Sequence, residues 1–167
     1  MLERLLRDHA LMRERGRTLL GLLDQPEPPP SDVLADARWQ LSSHIMQHLA
    51  LEDRHLYTKL LQDDRPHVQE AGRRFQAELA ELFGCFAESA QQWTPERIAG
   101  DWDTFRSMAR SRLVKMYARI DREEAELFPL VYDAAIDVSA HGLPSHNWTR
   151  DAFSIKDAIV NGSGRTG

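Results

Sequence analysis

Apolar residues recur along this chain at helical spacing, and the alternation expected of strands is nearly absent. Leu2, Leu5, Leu6, His9, Met12, Leu19, Leu20 and Leu23 fall three or four positions apart and predict a first helix over about 2–23. Gln25 to Pro30 ends it, because proline lacks an amide donor and crowds the preceding turn. Ser31 or Asp32 is placed to cap a second helix to about 61, with Val33, Leu34, Leu41, Ile45, Leu49, Leu56 and Leu60 as its stripe. After the turn at Asp63–Pro66, a third helix runs to about 93, its stripe Ala71, Phe75, Leu79, Leu82, Phe83 and Phe86. Thr94-Pro95 reads as a cap followed by proline at the first helical position, opening a short turn of helix that stops at Gly100. The fourth long helix covers about 101–135, with Phe105, Met108, Leu113, Met116, Ile120, Leu127 and Val131 inward, and Pro129 predicts a kink.

Four long amphipathic helices joined by short connections predict an all-α, up-down-up-down four-helix bundle over residues 1–136. From 137 to 167 the pattern fades into a partly irregular C-terminal extension, in which 151–160 is long enough for a short helix. Asn161 to Gly167, rich in glycine and serine, reads as a flexible end.

Composition narrows the class. At 167 residues, with 42% hydrophobic and 28% charged residues, the chain fits one soluble domain. A net charge of −5 argues against general nucleic-acid binding. One cysteine, Cys85, allows neither an internal disulfide nor a cysteine-based zinc site, and a packed thiol is expected of it. No apolar run is long enough to span a membrane and the first residues do not begin a signal peptide, so a cytoplasmic setting is expected.

The chemistry lies in polar residues that interrupt the apolar stripes. His44, His48 and Glu52 stand at i, i+4 and i+8, and His55 follows one turn later. Ile45, Leu49, Leu56 and Leu60 frame Glu52, so a carboxylate faces inward, where it needs a partner, a proton or a metal. Glu123 has the same frame from Met116, Ile120, Leu127 and Val131, Glu78 a weaker one, and His9 sits between Leu5, Leu6 and Met12. The second and fourth helices thus form a faint repeat: 48–57 aligns with 119–128, carboxylate on carboxylate and aromatic on aromatic, but His48 on Arg119. Arginine keeps its proton and is no ordinary metal ligand, although its fork can hold two carboxylate oxygens.

Asp8-His9, His48-x-x-x-Glu52-Asp53-x-x-Leu56-Tyr57 and Glu123-Glu124-x-x-Leu127-Phe128-Pro129 together resemble the hemerythrin-like, or HHE cation-binding, proteins over roughly residues 1–135. The resemblance implies a four-helix bundle with a non-haem di-iron centre between its helices. By position it implies His9, His48 and Glu52 as ligands, with Glu124 or Glu123 as the carboxylate of the fourth helix. The chain departs from the family pattern elsewhere. The third helix has no histidine pair, since His67 is followed four residues later by Ala71, and Arg119 stands where the fourth helix should supply histidine. Glu78 is a candidate replacement, giving a carboxylate-rich set for iron, manganese or zinc. The alternative is a metal-free polar core in which Arg119 forks to Glu52 and Glu123.

Three functions follow as expectations: a cytoplasmic sensing or binding module with a reduced or lost iron site, a metal-free helical adaptor that binds another protein, and a di-iron oxidase or peroxidase. His44 and His55 are expected at the surface or behind the ligands, and His67, His141 and His146 in solvent. Trp39, Trp93 and Trp102 are expected to serve packing, and no nucleotide or phosphate loop is present.

Overall fold

The computed structural model describes residues 1–162, so residues 163–167 of the expected flexible end lie outside the described residues. The first long helix, α1, spans Leu2–Leu23. The second, α2, spans Ser31–Glu52, passes through a π-helical turn at Asp53–Tyr57, and ends as α3, Thr58–Leu61. The third is α4, Pro66–Gln92, and the short α5 is Pro95–Gly100, with Thr94 accepting from the Arg97 amide and Pro95 at the first helical position. The fourth is α6, Trp102–Arg122, followed by a second π-turn at Glu123–Leu127 and by α7, Phe128–Asp133. A last helix, α8, spans Trp148–Asn161. The architecture is the all-α, up-down-up-down bundle that the stripes predict, with no strand among the described residues.

The inward stripes of the second and fourth helices are mostly buried, while in the third only Phe75 and Leu79 are, with Ala71, Leu82, Phe83 and Phe86 half-buried. Leu5, Leu23, Leu56, Leu60, Phe75, Ile120 and Leu127 are sealed from solvent in one continuous core. Trp93 and Trp102 are buried in it, as packing residues, beside Phe105. Two stripe positions belong to solvent instead: Leu6 and Val33 are exposed, each at the edge of its helix's apolar face. Cys85 is also exposed, against the expectation of a packed thiol. It lines an open cleft on α4, between the half-buried Phe83 and Phe86, rather than packing in the core.

The irregularity expected at Pro129 lies one turn earlier. The π-turn at 123–127 absorbs one extra residue directly before Pro129, where the missing proline amide removes a donor to an upstream carbonyl and favours the widened turn. The repeat between the second and fourth helices is therefore structural as well as sequential. Each long helix carries a π-turn immediately beside its inward carboxylate, Glu52 or Glu123.

A widened turn frees backbone carbonyls, and for the first of the two the C-terminal extension and Thr58 supply the partners. The Gly142 amide donates to the Arg54 carbonyl at 2.9 Å, and Thr58 Oγ1 to the Asp53 carbonyl at 3.1 Å. The chain comes so close here that a Cβ at Gly142 would stand 2.6 Å from Thr58 Cγ2, so only glycine fits. The buried Asp53 carboxylate accepts from the Ser145 amide (2.8 Å), Ser145 Oγ (2.7 Å) and Trp148 Nε1 (3.0 Å). His55 is buried rather than at the surface, its Nδ1 donating to the Val138 carbonyl at 3.0 Å. Beyond Asp53, α8 lays Ile155, Ala158 and Ile159 against Met46 of α2 and Ala90 of α4 as a second apolar cluster. Asp53→Ala is expected to destabilise the protein by about 1–3 kcal/mol, because it leaves buried donors unpaired. Urea unfolding measures the loss, and limited proteolysis should show faster cleavage within 137–147. Unchanged cleavage would show that α8 alone anchors the extension.

No helix among the described residues is long and apolar enough to cross a membrane.

Candidate metal centre

Four buried side chains from three helices converge beside the two π-turns: His9 from α1, His48 and Glu52 from α2, and Glu123 at the end of α6. One ligand atom from each lies within 4.8 Å of the others. His9 Nε2 is 3.1 Å from His48 Nε2 and 3.0 Å from Glu123 Oε2. His48 Nε2 is 3.5 Å from Glu52 Oε1 and 3.9 Å from Glu123 Oε2. Two donors at bonding distance from one tetrahedral ion stand about 3.3 Å apart, so these separations suit four donors around a single ion.

The outer partners decide which nitrogens face inward. His9 Nδ1 donates to Glu124 Oε1 at 2.9 Å, and Arg13 Nη1 holds the same oxygen at 2.8 Å. That bond places the His9 proton on Nδ1 and leaves the Nε2 lone pair pointing at His48 Nε2 and at a carboxylate oxygen. His48 Nδ1 faces Asp8 Oδ2 at 3.8 Å. The His9–Glu124 pair is the arrangement in which a carboxylate orients a histidine toward a metal; Asp8 faces His48 only as a charge, beyond hydrogen-bond distance. Without a metal, the inward acceptors are held together by a proton on His48, whose pKa burial would lower but Glu52, Asp8 and Glu123 raise. Glu52 Oε1, which faces His48 Nε2, is buried with no hydrogen-bond partner, the state that a shared cation or proton relieves. The donor set therefore fits a metal ion.

Arg119 occupies the other side of the carboxylates. Its Nε lies 2.6 Å from Glu123 Oε1 and its Nη2 3.6 Å from Glu52 Oε2. Nη2 also donates to the Tyr57 hydroxyl at 2.8 Å, and that hydroxyl donates to Glu52 Oε2 at 3.3 Å. Nη1 donates to the Phe75 carbonyl at 3.2 Å. Glu52 and Glu123 thus each turn one oxygen to the histidines and the other to a guanidinium. The aromatic pair of the repeat brackets the same site. Tyr57 touches Glu52, while Phe128 stacks on the His9 ring, 5.3 Å between centroids and 10° between planes.

Charge is shared accordingly. Burial works against a charge on His48, but Glu52, Asp8 and Glu123 outweigh it and raise its pKa well above the ordinary histidine value. Burial likewise favours a neutral Glu123, yet His48, His9 and Arg119 hold its carboxyl far below the usual range. Arg119 stays protonated against its own burial, held by Tyr57, Glu123, Glu52 and Glu78. Burial raises the Tyr57 phenol, and Glu52 raises it further.

The remaining candidates separate clearly. Glu78 stands beyond Arg119, 3.5 Å from its Nη1, and binds Arg122 at 2.9 and 2.5 Å. It is therefore outside the cluster, with Arg119 between. Glu124 stands behind His9 as an orienting carboxylate, and Glu123 is the one that faces the histidines. His44 is buried, its Nε2 3.7 Å from Asp8, on the side of that carboxylate away from the cluster's centre. His67 and His141 are exposed, as expected, whereas His146 is half-buried against Trp148 and paired with Asp151. Sequence reasoning assigned no site role to Asp8, Arg13 or Tyr57. The repeat carried a signal for Tyr57, since it pairs with Phe128 and both border the site; nothing in spacing alone marks Arg13.

Compared with known proteins, the chain matches the model of the hemerythrin HHE cation binding domain over residues 1–131. No curated protein and no solved structure matches it.

Proposed function

The chain belongs to the hemerythrin HHE cation-binding domain family, and on that premise we propose that it holds one transition-metal ion, with the Arg119 guanidinium in the place of a second. The observation that carries this reading is the division of the two buried carboxylates. Each has one oxygen toward the His9 and His48 Nε2 atoms and the other toward Arg119. His9, His48, Glu52 and Glu123 hold the ion. Glu124 orients His9, Asp8 faces His48 as a nearby negative charge, and Arg119 neutralises the outer carboxylate oxygens. Two imidazoles and two carboxylates suit iron, with manganese and zinc as the competing ions. When bound, iron supplies a redox-active centre able to take a small ligand. Arg119 argues against a two-metal oxidase, because a fixed cation stands where the second ion would need these same oxygens.

The module is read as a cytoplasmic sensor. The single cysteine supports a reducing setting. The sensing role is supported by the extension, which grips the π-turn directly after Glu52 through Asp53, Arg54 and His55. A change at the ion has a short path to that surface, where a protein partner would read it.

Metal analysis after anaerobic ferrous loading tests the site. One iron per chain is expected in the native protein, and a rise toward two in Arg119→His. Two ions per native chain would overturn the single-ion reading. A native protein that takes up no ion, and whose metal content is unchanged in Glu52→Ala, would assign the cluster to a salt-bridged core and favour the metal-free adaptor.

A further inference from the structure

A cleft of about 510 Å³ opens between α2, α4 and α6, beside the metal cluster but separated from it by Arg119. Over this stretch α4 stands off α6, and arginines span the gap: Arg112 Nη1 donates to the Cys85 carbonyl at 2.7 Å, and Arg122 holds Glu78. The floor is apolar, built from residues such as Leu41, Ile45, Phe86, Met108 and Leu113. Its size is in the range of small-molecule sites, which are mostly apolar with a few placed polar groups.

The placed polar group is Arg38, from the middle of α2. It is 7% exposed, and among the described residues no carboxylate lies within ion-pair distance. Nη1 donates to the Trp93 carbonyl at 3.1 Å and the guanidinium lies over the Phe105 ring at 5.2 Å, which leaves Nε and Nη2 with no hydrogen-bond partner among the described residues and open to the cleft. Other buried charges of this protein are paired: Arg119 with Glu123, Asp53 with Ser145 and Trp148. An unpaired buried cation is costly, and here burial lowers its pKa to about 10. The rim adds to the sign. Arg112 and Lys115 line the cleft without a carboxylate partner among the described residues, Glu78 is already taken by Arg122, and Glu81 is the one other acidic residue there. A locally cationic, apolar cleft in a chain of net charge −5 selects against its own surface and for an anion.

We infer that this cleft is a binding site for a small amphipathic monoanion, an aliphatic or aromatic carboxylate whose head pairs with Arg38 and whose body lies on the apolar floor. The inference is independent of the metal: Arg38 touches none of the four clustered residues.

Calorimetric titration of the full chain with decanoate, decanol and decyltrimethylammonium tests it. Decanoate is expected to bind saturably at one site, with decanol about tenfold weaker or more, since it lacks the charge-assisted pair, and the ammonium without saturation. Arg38→Met should weaken decanoate about tenfold and leave decanol unchanged, a difference that misfolding would not produce. Leu82→Trp, which fills the cleft from a half-buried position, should weaken both while metal content stays at the native value. Equal affinity for decanoate and decanol, undiminished decanoate binding in Arg38→Met, or no saturable uptake would overturn the assignment. Concentration-dependent dimerisation that leaves the native protein unable to take up decanoate would overturn it as well, giving the cleft to a second copy of the chain.

Discussion

Replacing His48 by alanine is expected to lower ferrous-ion affinity about a thousandfold, or about 4 kcal/mol. His48 is the histidine that faces both carboxylates of the cluster, Glu52 at 3.5 Å and Glu123 at 3.9 Å, as well as the His9 nitrogen at 3.1 Å. Its loss removes a donor and leaves no replacement in reach. Glu124→Ala, which frees the His9 ring without touching an inward donor, should cost only about 10–100-fold. The same residue sets the pH dependence. A metal needs His48 deprotonated, and Glu52, Asp8 and Glu123 raise its pKa against the effect of burial, so affinity should fall as pH drops through that raised value. In the metal-free protein the sign reverses. A protonated His48 supplies the missing positive charge, and its stabilisation is fully present below the unfolded histidine pKa and lost as pH rises through the folded one. Titration of metal binding and of urea stability against pH reads both. Equal affinity in His48→Ala and the native protein would remove the centre from this place.

Arg119→Met is expected to destabilise the metal-free protein by about 3–5 kcal/mol. The guanidinium is 6% exposed and is the neighbour of the outer oxygens of two carboxylates that are themselves sealed from water. Methionine fills a similar volume, so the loss reports uncompensated charge rather than a cavity. It should shrink in Arg119→Met/Glu52→Gln, which removes one of the stranded charges. Bound metal should restore part of it by mass action, since the ion binds only the folded chain. Urea unfolding with and without metal measures these terms. A loss below about 1 kcal/mol would mean that Glu52 or Glu123 takes up a proton in place of the lost cation.

These two residues also mark where reading the chain stopped. The spacing of His48 and Glu52 placed them on one inward face, and the frame of apolar residues around Glu123 singled it out over Glu124. Yet the family resemblance favoured Glu124, and spacing alone could not choose. Adjacent residues on a helix differ by a rotation of about 100°, and the π-turn that begins at Glu123 is what turns one inward and leaves the other behind His9. Glu78 looked inward by a weaker apolar frame. Its neighbour Arg122 and the intervening Arg119 hold it outside the cluster. Arg38 gave no sign in the sequence, because a lone arginine within an apolar stripe reads like any surface-seeking side chain. Its burial depends on α4 standing apart from α6 and on α8 closing over α2.

By itself the sequence determined the helices, their order, the bundle, and the inward faces that carry His9, His48, Glu52 and Glu123. Periodicity at 3.6 residues and proline breaks are local, and local patterns survive without knowledge of neighbours. Only the tertiary structure decided that the four meet with their lone pairs at one point, that Arg119 rather than a histidine answers the outer carboxylate oxygens, and that the extension locks onto the turn beside Glu52. Those outcomes depend on distances between residues more than a hundred positions apart in some cases, such as His9 and Glu123 at 3.0 Å. A distance of that kind follows from how helices pack, and no one-dimensional spacing encodes it.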